Sequence, residues 1–334
     1  MRGLTLGKFA PLHKGHQLMI ETALSEVAEL QIIIYDSPEQ TSVPLPVRSA
    51  WLRELYPQAQ VIEAWDGPSV IGNTREIQQL HEDYVIQQLG ISNISHFYSS
   101  EFYGEHMSQA LGAINRQVDP PRNQVPISAT QIRSDPYRYR EFLHPRVYRD
   151  LIMKIVLLGA PSTGKTTLTA TLAETFNTQW MPEYGREYWE QHQSNRRLTP
   201  QQLVEIAEGH REREEQRLLE SNRYLFVDTN ALTTYHFALS YHGRAEPRLA
   251  QLADQAQQRY DLVLVCDSDI PYDDTWDRSG EVQRTIFQKQ LFAQLQQRRQ
   301  PYYLISGPLE QRIAQVQSLL QRHQLYHNLL ANPA

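Results

Sequence analysis

Residues 153–167 read MKIVLLGAPSTGKTT, and this stretch decides how the second half of the chain folds. MKIVLL reads as a strand, and TTLTATLAETF, from Thr166 onward, reads as a helix. Between them Gly159-Ala-Pro-Ser-Thr-Gly164-Lys165-Thr166 fits the pattern G-x-x-x-x-G-K-[ST], for which a chance match in a chain this long is on the order of one per cent. Its glycines let backbone N–H groups wrap phosphates, and the helix that follows offers its positive end. Lys165 is placed to reach β- and γ-phosphates, and the Thr166 hydroxyl to hold Mg²⁺. Gly159, Ser162, Thr163, Gly164, Lys165, Thr166 and Thr167 are therefore the candidate nucleotide-binding residues.

Outward from this loop the chain alternates strand and helix. Downstream strands are expected at TQWMP (178–182), YLFVDT (224–229), DLVLVCD (261–267) and PYYLIS (301–306), with a long charged helix from Gln201 to Glu220. In a parallel sheet the strand C-termini line the ligand crevice. Asp228 falls at such an end, where a carboxylate binds Mg²⁺ or polarises an acceptor hydroxyl. Glu183 ends the preceding strand beside Tyr184 and Arg186. A solvated loop charge is the plainer reading of each. CDSDIPYDDTWDR (266–278) is crowded with carboxylates and ends on Arg278, a candidate for a lid closing over a transferring phosphoryl group. No guanine-reading N-K-x-D occurs in the chain.

Upstream, strands are expected at LTLG (4–7), LQIIIY (30–35), QVIEAW (60–65), SHFYSS (95–100) and QVPIS (124–128). HQLMIETALSEVAEL and TREIQQLHEDYVIQQL read as helices, the latter with Ile77, Leu80, Tyr84, Val85 and Leu89 on one face. NRQVDPPRNQVP is a loop, and SDPYRYREFLHPRVYRDL a polar closing helix or helix pair. The whole is α/β: two doubly wound parallel-sheet domains, 1–150 and 151–334.

Composition excludes more than it assigns. With a net charge of −6 over 334 residues there is no general reason to expect nucleic-acid binding. No apolar run approaches the ~20 residues a membrane helix needs, and MRGLTLGKFAP lacks a signal peptide's apolar core. The single cysteine, Cys266, sits in LVLVC as a strand residue and suits a reducing cytoplasm.

A second candidate site lies near the N-terminus, in GKFAPLHKGHQLMI (7–20). His13 and His16 have no cysteine or paired histidine at a spacing that completes a zinc site. Set around Gly15 where a strand turns into a helix, they share a face and can hydrogen-bond phosphate oxygens above the first strand. Gly15 removes bulk where a nucleotide approaches.

These residues carry a resemblance. GKFAPLHKGH is similar to the [HT]-x-G-H signature of the nucleotidyltransferase superfamily, and ISATQIR (127–133) resembles its second signature, I-S-[ST]-T-x-[IL]-R, departing from it slightly at Ala129, where Gly or Ser is expected. The resemblance implies adenylyl or cytidylyl transfer by direct attack of an acceptor phosphate on the α-phosphorus, with positioning and charge neutralisation from the enzyme. It places Gly7, Lys8, Phe9, His13, Gly15 and His16 with Ser128, Thr130 and Arg133 around ATP; Ser128 also reads as a helix N-cap. With the phosphate-loop half, nearly the full chain resembles the bacterial bifunctional nicotinamide mononucleotide adenylyltransferase/ribosylnicotinamide kinase family. Its further signs are PLPVRSAWL (44–52), YSSEFYG (98–104), VDPPRNQVPISATQIR (118–133), PEYGRE (182–187), FVDTN (226–230) and CDSDIPY (266–272).

This resemblance implies a Rossmann-like HxGH nucleotidyltransferase followed by a P-loop kinase. The kinase half would phosphorylate nicotinamide riboside, and the first half would join the mononucleotide to AMP, giving NAD. ATP is then the co-substrate of both halves, with Mg²⁺ as cofactor. Arg48, Trp65, Tyr98 and Glu101 become candidates for the nicotinamide nucleotide, and Glu183, Tyr184, Arg186, Asp228 and Asn230 for the riboside. Two departures stand out. The first strand begins almost at Met1, so the helix-turn-helix repressor domain of some members, and DNA binding with it, is not expected. The family's lid motif, Asp-Gly shortly before an Arg, reads Thr275-Trp276-Asp277-Arg278 here. The rival readings are an adenylyltransferase whose second half acts on another nucleoside, or one whose second half is a nucleotide-sensing module. Oligomeric state, a homo-oligomer included, is not legible.

Overall fold

A computed structural model describes residues 1–70, 72–100, 104–194, 198–271 and 281–326, with side chains at all of these except 281 and 282. The lid candidate Arg278 and the proposed ligand contact Glu101 lie outside the described residues. The chain divides into two compact units, Met1–Tyr148 and Arg149–Leu325.

The first unit has strands β1 Arg2–Gly7, β2 Glu29–Tyr35, β3 Gln60–Ala64, β4 His96–Ser99 and β5 Ile114–Gln117. Between and after them run α1 Lys14–Glu26, α2 Leu45–Leu55, α3 Arg75–Asp83, α4 Gly104–Leu111, α5 Ala129–Ser134 and α6 Pro145–Arg149. The five strands are all parallel in the order β3-β2-β1-β4-β5. Leu4, Ile33, Tyr35, Phe97, Tyr84, Val85 and Met107 pack into one buried cluster on one face.

The second unit repeats the scheme with β6 Met153–Leu158, β7 Gln179–Met181, β8 Tyr224–Asp228, β9 Leu262–Cys266 and β10 Tyr303–Ile305. Its helices are α7 Lys165–Thr175, α8 Tyr184–His192, α9 Pro200–Leu219, α10 Ala231–His242, α11 Pro247–Gln255, α12 Glu281–Gln297 and α13 Leu309–Arg322. The order is β10-β9-β6-β8-β7, again all parallel. Alternate residues Ile155 and Leu157 of β6 meet Leu168 and Leu172 of α7, Phe226, Leu264 and Val316 in the core. Cys266 belongs to that core, and burial pushes its thiol up to about 11.

In both units the first strand in sequence becomes the central strand in space. Its successors lie on both sides, so the connections diverge and leave a crevice at its C-terminal end. The loop after β1 carries the histidines and the loop after β6 carries the phosphate loop.

The expected α/β architecture is present, with three local corrections. QVPIS is not a strand: the Asp119 carboxylate accepts the backbone N–H groups of Asn123, Gln124 and Val125, and Pro126 has no N–H for a ladder. The fifth strand is instead INRQ, an exposed edge strand without apolar alternation to betray it. Leu80 is 48% exposed, because the α-helical turn gives way to a π-turn at Tyr84–Gln88 that breaks the face it was assigned to. The closing segment forms only a 3₁₀ turn, Arg140–Phe142, and the short α6, since Pro136 and Pro145 interrupt it.

Candidate functional site

The first site is built on the start of α1. His13 is the N-cap residue, with extended backbone, and its Nδ1 accepts the N–H of Gly15 at 3.1 Å. His16, at the third helical position, reaches back so that its Nδ1 accepts the His13 N–H at 3.4 Å. The pair is thus a capping box made of two imidazoles, and the rings stack with centroids 3.7 Å apart. Because each Nδ1 accepts, a neutral ring carries its proton on Nε2. Burial, with the nearby Arg122 charge, lowers His13 to about 4; burial and the neighbouring His13 and Arg122 hold His16 well below its ordinary range. Both rings are therefore neutral near pH 7, and both offer an Nε2–H donor. Phe9, buried and with φ of 45°, meets the His16 ring edge-on at 5.0 Å.

Gly15 serves these rings directly. A Cβ there would stand 3.0 Å from His13 Cε1 and 3.1 Å from its Nδ1, so the room it leaves is for His13. An isolated antiparallel bridge to Leu143 holds the His13 backbone from the other side.

The second signature is tied to the first through Arg133. Its Nη1 donates to the Ala10 carbonyl at 2.7 Å and its Nη2 to Thr130 Oγ1 at 3.1 Å. Ser128 caps α5 in a box with Gln131, its hydroxyl accepting the Gln131 N–H at 3.2 Å. Ser128 and Thr130 thus shape the segment that brings Arg133 across. Lys8 faces Glu39 at 3.4 Å; partial burial, with Arg133 and Arg48 nearby, lowers it despite that carboxylate. Arg122 puts cationic charge near the two imidazoles, while Lys8 and Arg133 lie near each other. Arg122 escaped the sequence reading because only the fold of the loop about Asp119 brings it near the histidines.

The proposed nicotinamide contacts fare differently. Arg48 is fully buried: Nε donates to the Val43 carbonyl at 2.9 Å, Nη1 to the carbonyls of Lys8 and Tyr35, and Nη2 to Asp36 at 3.3 Å. Through these bonds it ties the end of β1 to the segments that follow β2. The buried Tyr98 donates its hydroxyl to Glu26, the last residue of α1, at 3.1 Å. Thirteen residues of α1, about 20 Å of helix, separate that end from His13. Of the three described residues, only Trp65 keeps an exposed ring just past a strand's C-terminal end. Its indole N–H donates to Glu63 at 3.1 Å, and Ser49 donates to the same carboxylate at 2.5 Å.

The second site follows β6. Gly159, Ser162 and Gly164 have φ of 147°, 59° and 77°, which curl the loop; a Cβ on Gly159 would come within 2.8 Å of the Cys266 carbonyl. Thr163 is buried and its hydroxyl braces the Ala160 carbonyl at 2.8 Å, while Lys165 Nζ donates to the same oxygen at 2.9 Å. Thr166 Oγ1 donates to Asp228 Oδ2 at 2.5 Å, and Thr167 stands exposed on the first turn of α7.

Asp228 is fully buried, and among the described residues its Oδ1 has no hydrogen-bond partner. Burial raises its carboxyl to about 6, the charge of Glu183 adds to the rise, and Lys165, Thr166 and Arg186 oppose it. Adjacent pairing of β8 and β7 brings Glu183 to this point. A buried carboxylate with one oxygen unpartnered, beside a threonine hydroxyl, fits the donor set a divalent cation takes. Tyr184 is set aside against α9, with the Arg213 guanidinium 3.9 Å over its ring and Gly209 leaving space for it. Asn230 caps α10, its side-chain oxygen accepting the Leu232 N–H at 3.0 Å. Lys165, Thr166, Asp228, Glu183 and Arg186 are brought together; Tyr184 and Asn230 support the walls.

Fold and sites define a nucleotide-handling transferase with a nucleotidyltransferase unit and a phosphate-loop kinase unit. A family model described as cytidylyltransferase-like matches residues 4–135, and one described as an AAA domain matches residues 154–312. The trifunctional NAD biosynthesis/regulator protein NadR of Escherichia coli (strain K12) is 30% identical over 314 residues, 88% of this chain and 76% of that protein. Its Salmonella typhimurium (strain LT2) counterpart is 29% identical over the same shares. The chain belongs to the NadR family. A crystal structure of NadR in complex with NAD and AMP-PNP shares its fold, with a TM-score of 0.56 and 23% identity over 96% of this chain and 95% of that one. A NadR structure in complex with NR does so over 98% of each chain, with the same TM-score and identity. Among the described residues no helix is long and apolar enough to cross a membrane.

Proposed function

We propose that the chain is a bifunctional enzyme of NAD synthesis. The second unit phosphorylates nicotinamide riboside to the mononucleotide, and the first transfers an adenylyl group from ATP to that mononucleotide, releasing pyrophosphate. The observation that carries this reading is the convergence, at the end of each central strand, of donors suited to phosphate. In one unit these are His13, His16 and Arg133, and in the other Lys165 and Thr166 beside Asp228. The names of the relatives, and the ligands of the solved NadR complexes, support the choice of substrates.

In the first unit a phosphate oxygen of the mononucleotide attacks the α-phosphorus of ATP, and the bond from that phosphorus to the bridging oxygen breaks. The Nε2–H groups of His13 and His16 hold phosphate oxygens without bringing charge, while Lys8, Arg122 and Arg133 neutralise what accumulates. In the second unit the riboside 5′-hydroxyl attacks the γ-phosphorus and ADP leaves. Lys165 spans β- and γ-phosphates, Thr166 and Asp228 would hold Mg²⁺, and Glu183 takes the hydroxyl proton. Bound Mg²⁺ would supply positive charge that offsets the charge of the transferring phosphates.

The test is to incubate purified protein with ATP, Mg²⁺ and nicotinamide riboside, following ADP, pyrophosphate and NAD separately. ADP and mononucleotide should form first, then pyrophosphate and NAD in equal amounts. Absence of NAD from supplied mononucleotide would rule out the first assignment. ADP formed without riboside would favour a regulatory ATPase in the second.

A further inference from the structure

The phosphate loop does not hold its shape alone. Arg312, on α13, is 2% exposed and spends its whole guanidinium on three separate loops. Nη1 donates to the Thr163 carbonyl at 2.6 Å, inside the phosphate loop. Nε donates to the Gly307 carbonyl at 2.7 Å, after β10. Nη2 donates to the Asp267 carbonyl at 3.2 Å and pairs with the Asp269 carboxylate, both after β9. Asp269 in turn accepts the Gly307 N–H at 2.5 Å, so the two flanking loops are joined to each other as well. On α12, the buried Gln288 accepts the Ala160 N–H at 2.8 Å and donates to the Cys266 carbonyl at 3.0 Å.

A loop that presents N–H groups to phosphate must turn its carbonyls away, because a carbonyl oxygen facing a phosphate repels it. Pulling the Thr163 carbonyl backwards orients the peptide that follows, whose N–H belongs to Gly164, towards the opposite side. Gly164 is left-handed at φ 77°, a conformation that the same tether helps fix. Three fixed donors in one plane can do this; a single ammonium cannot meet three loops at once.

We infer that Arg312 is a positioning residue of the kinase reaction, setting the phosphate loop in its nucleotide-receiving shape through the Thr163 carbonyl. The inference rests on the reading of the second unit as an ATP-using kinase. Arg312 touches no reacting atom, and Gln288 supports it from the other side of the loop.

The experiment compares wild type, Arg312→Ala and Arg312→Lys in steady-state riboside phosphorylation, with thermal unfolding recorded for each. Arg312→Ala should raise the KM for ATP about tenfold or more while changing the KM for riboside less than threefold. Millimolar guanidinium, well below denaturing levels, should restore a measurable part of that loss, since it fits the space the side chain vacates. Adenylyl transfer from supplied mononucleotide should stay at the wild-type rate. An ATP KM within twofold of wild type in Arg312→Ala overturns the inference. So does a folded variant whose KM for ATP and for riboside rise together and which guanidinium leaves unchanged. Should Arg312→Ala fail to fold, Arg312→Lys decides: a raised ATP KM supports the inference and a wild-type value overturns it. If wild type itself forms no ADP with riboside, the kinase reading fails instead, before any variant is compared.

Discussion

The imidazoles of His13 and His16 stack at 3.7 Å, and each directs its Nδ1 to a backbone N–H at the start of α1. One contact therefore does two things. It closes the helix end, and it fixes the tautomer that leaves both Nε2–H groups as donors. Substitutions can separate the two roles.

His16→Ala should lower pyrophosphate release about a hundredfold or more, the scale for losing a donor to a developing oxyanion. Lost capping costs only about 1 kcal/mol. His16→Gln keeps an N3 side chain able to reach the His13 N–H, so it should regain stability without regaining activity. Riboside phosphorylation should be unaffected in both. Measuring pyrophosphate and ADP side by side, with a melting curve, checks this; recovery of pyrophosphate release by glutamine would limit His16 to a cap.

Lys165→Ala should produce the opposite pattern. ADP formation with riboside falls by about two orders of magnitude or more, because the phosphate charge loses its nearest mobile cation. NAD synthesis from supplied mononucleotide continues. Loss of both activities in folded protein would mean the two sites are not independent.

The raised carboxyl of Asp228 predicts an acid limb in the kinase reaction. Asp228 must be ionised to hold a cation, so kcat/KM should fall tenfold per pH unit below about 6 and level off above it. The same shift sets a stability effect. The carboxyl rises in the folded state from its ordinary 3.8 to about 6, so the folded chain binds the proton more tightly. The resulting penalty is absent below about 4, grows as pH rises towards about 6 and is complete above that. Asp228→Asn should accordingly abolish kinase activity while stabilising the fold at pH 7 by at most about 3 kcal/mol, read as a higher melting temperature. A stability gain independent of pH would show that charge burial is not its source.

Arg48→Ala should unfold or strongly destabilise the first unit, by about 3 kcal/mol or more, because three backbone carbonyls and Asp36 lose a buried donor. Denaturant melts give the answer. A variant of wild-type stability whose only defect is a raised KM for the mononucleotide would return Arg48 to the ligand.

How far the chain could be read without its structure varied with the kind of signal. The phosphate loop was legible because glycines at positive φ, a lysine and a threonine have few other uses at that spacing. HKGH and ISATQIR were legible for a similar reason, although their union through Arg133 and the Ala10 carbonyl, 123 positions apart, was not. The edge strand INRQ carries no apolar alternation, since its side chains are exposed, and QVPIS carries alternation without forming a strand. Arg48 and Tyr98 look like ligand groups in a motif, yet each side chain is consumed by partners that only folding delivers.

Local chemistry was thus determined by the sequence itself: two α/β units, each with a phosphate-binding turn after its first strand. The tertiary structure decided which polar side chains face the crevice and which hold it open. It committed Arg48 and Tyr98 to protein partners, brought Arg122 to the histidines, and tied Arg312 to the phosphate loop. The physical reason is that a buried donor or acceptor must find a partner. Which partner it finds depends on residues many positions away.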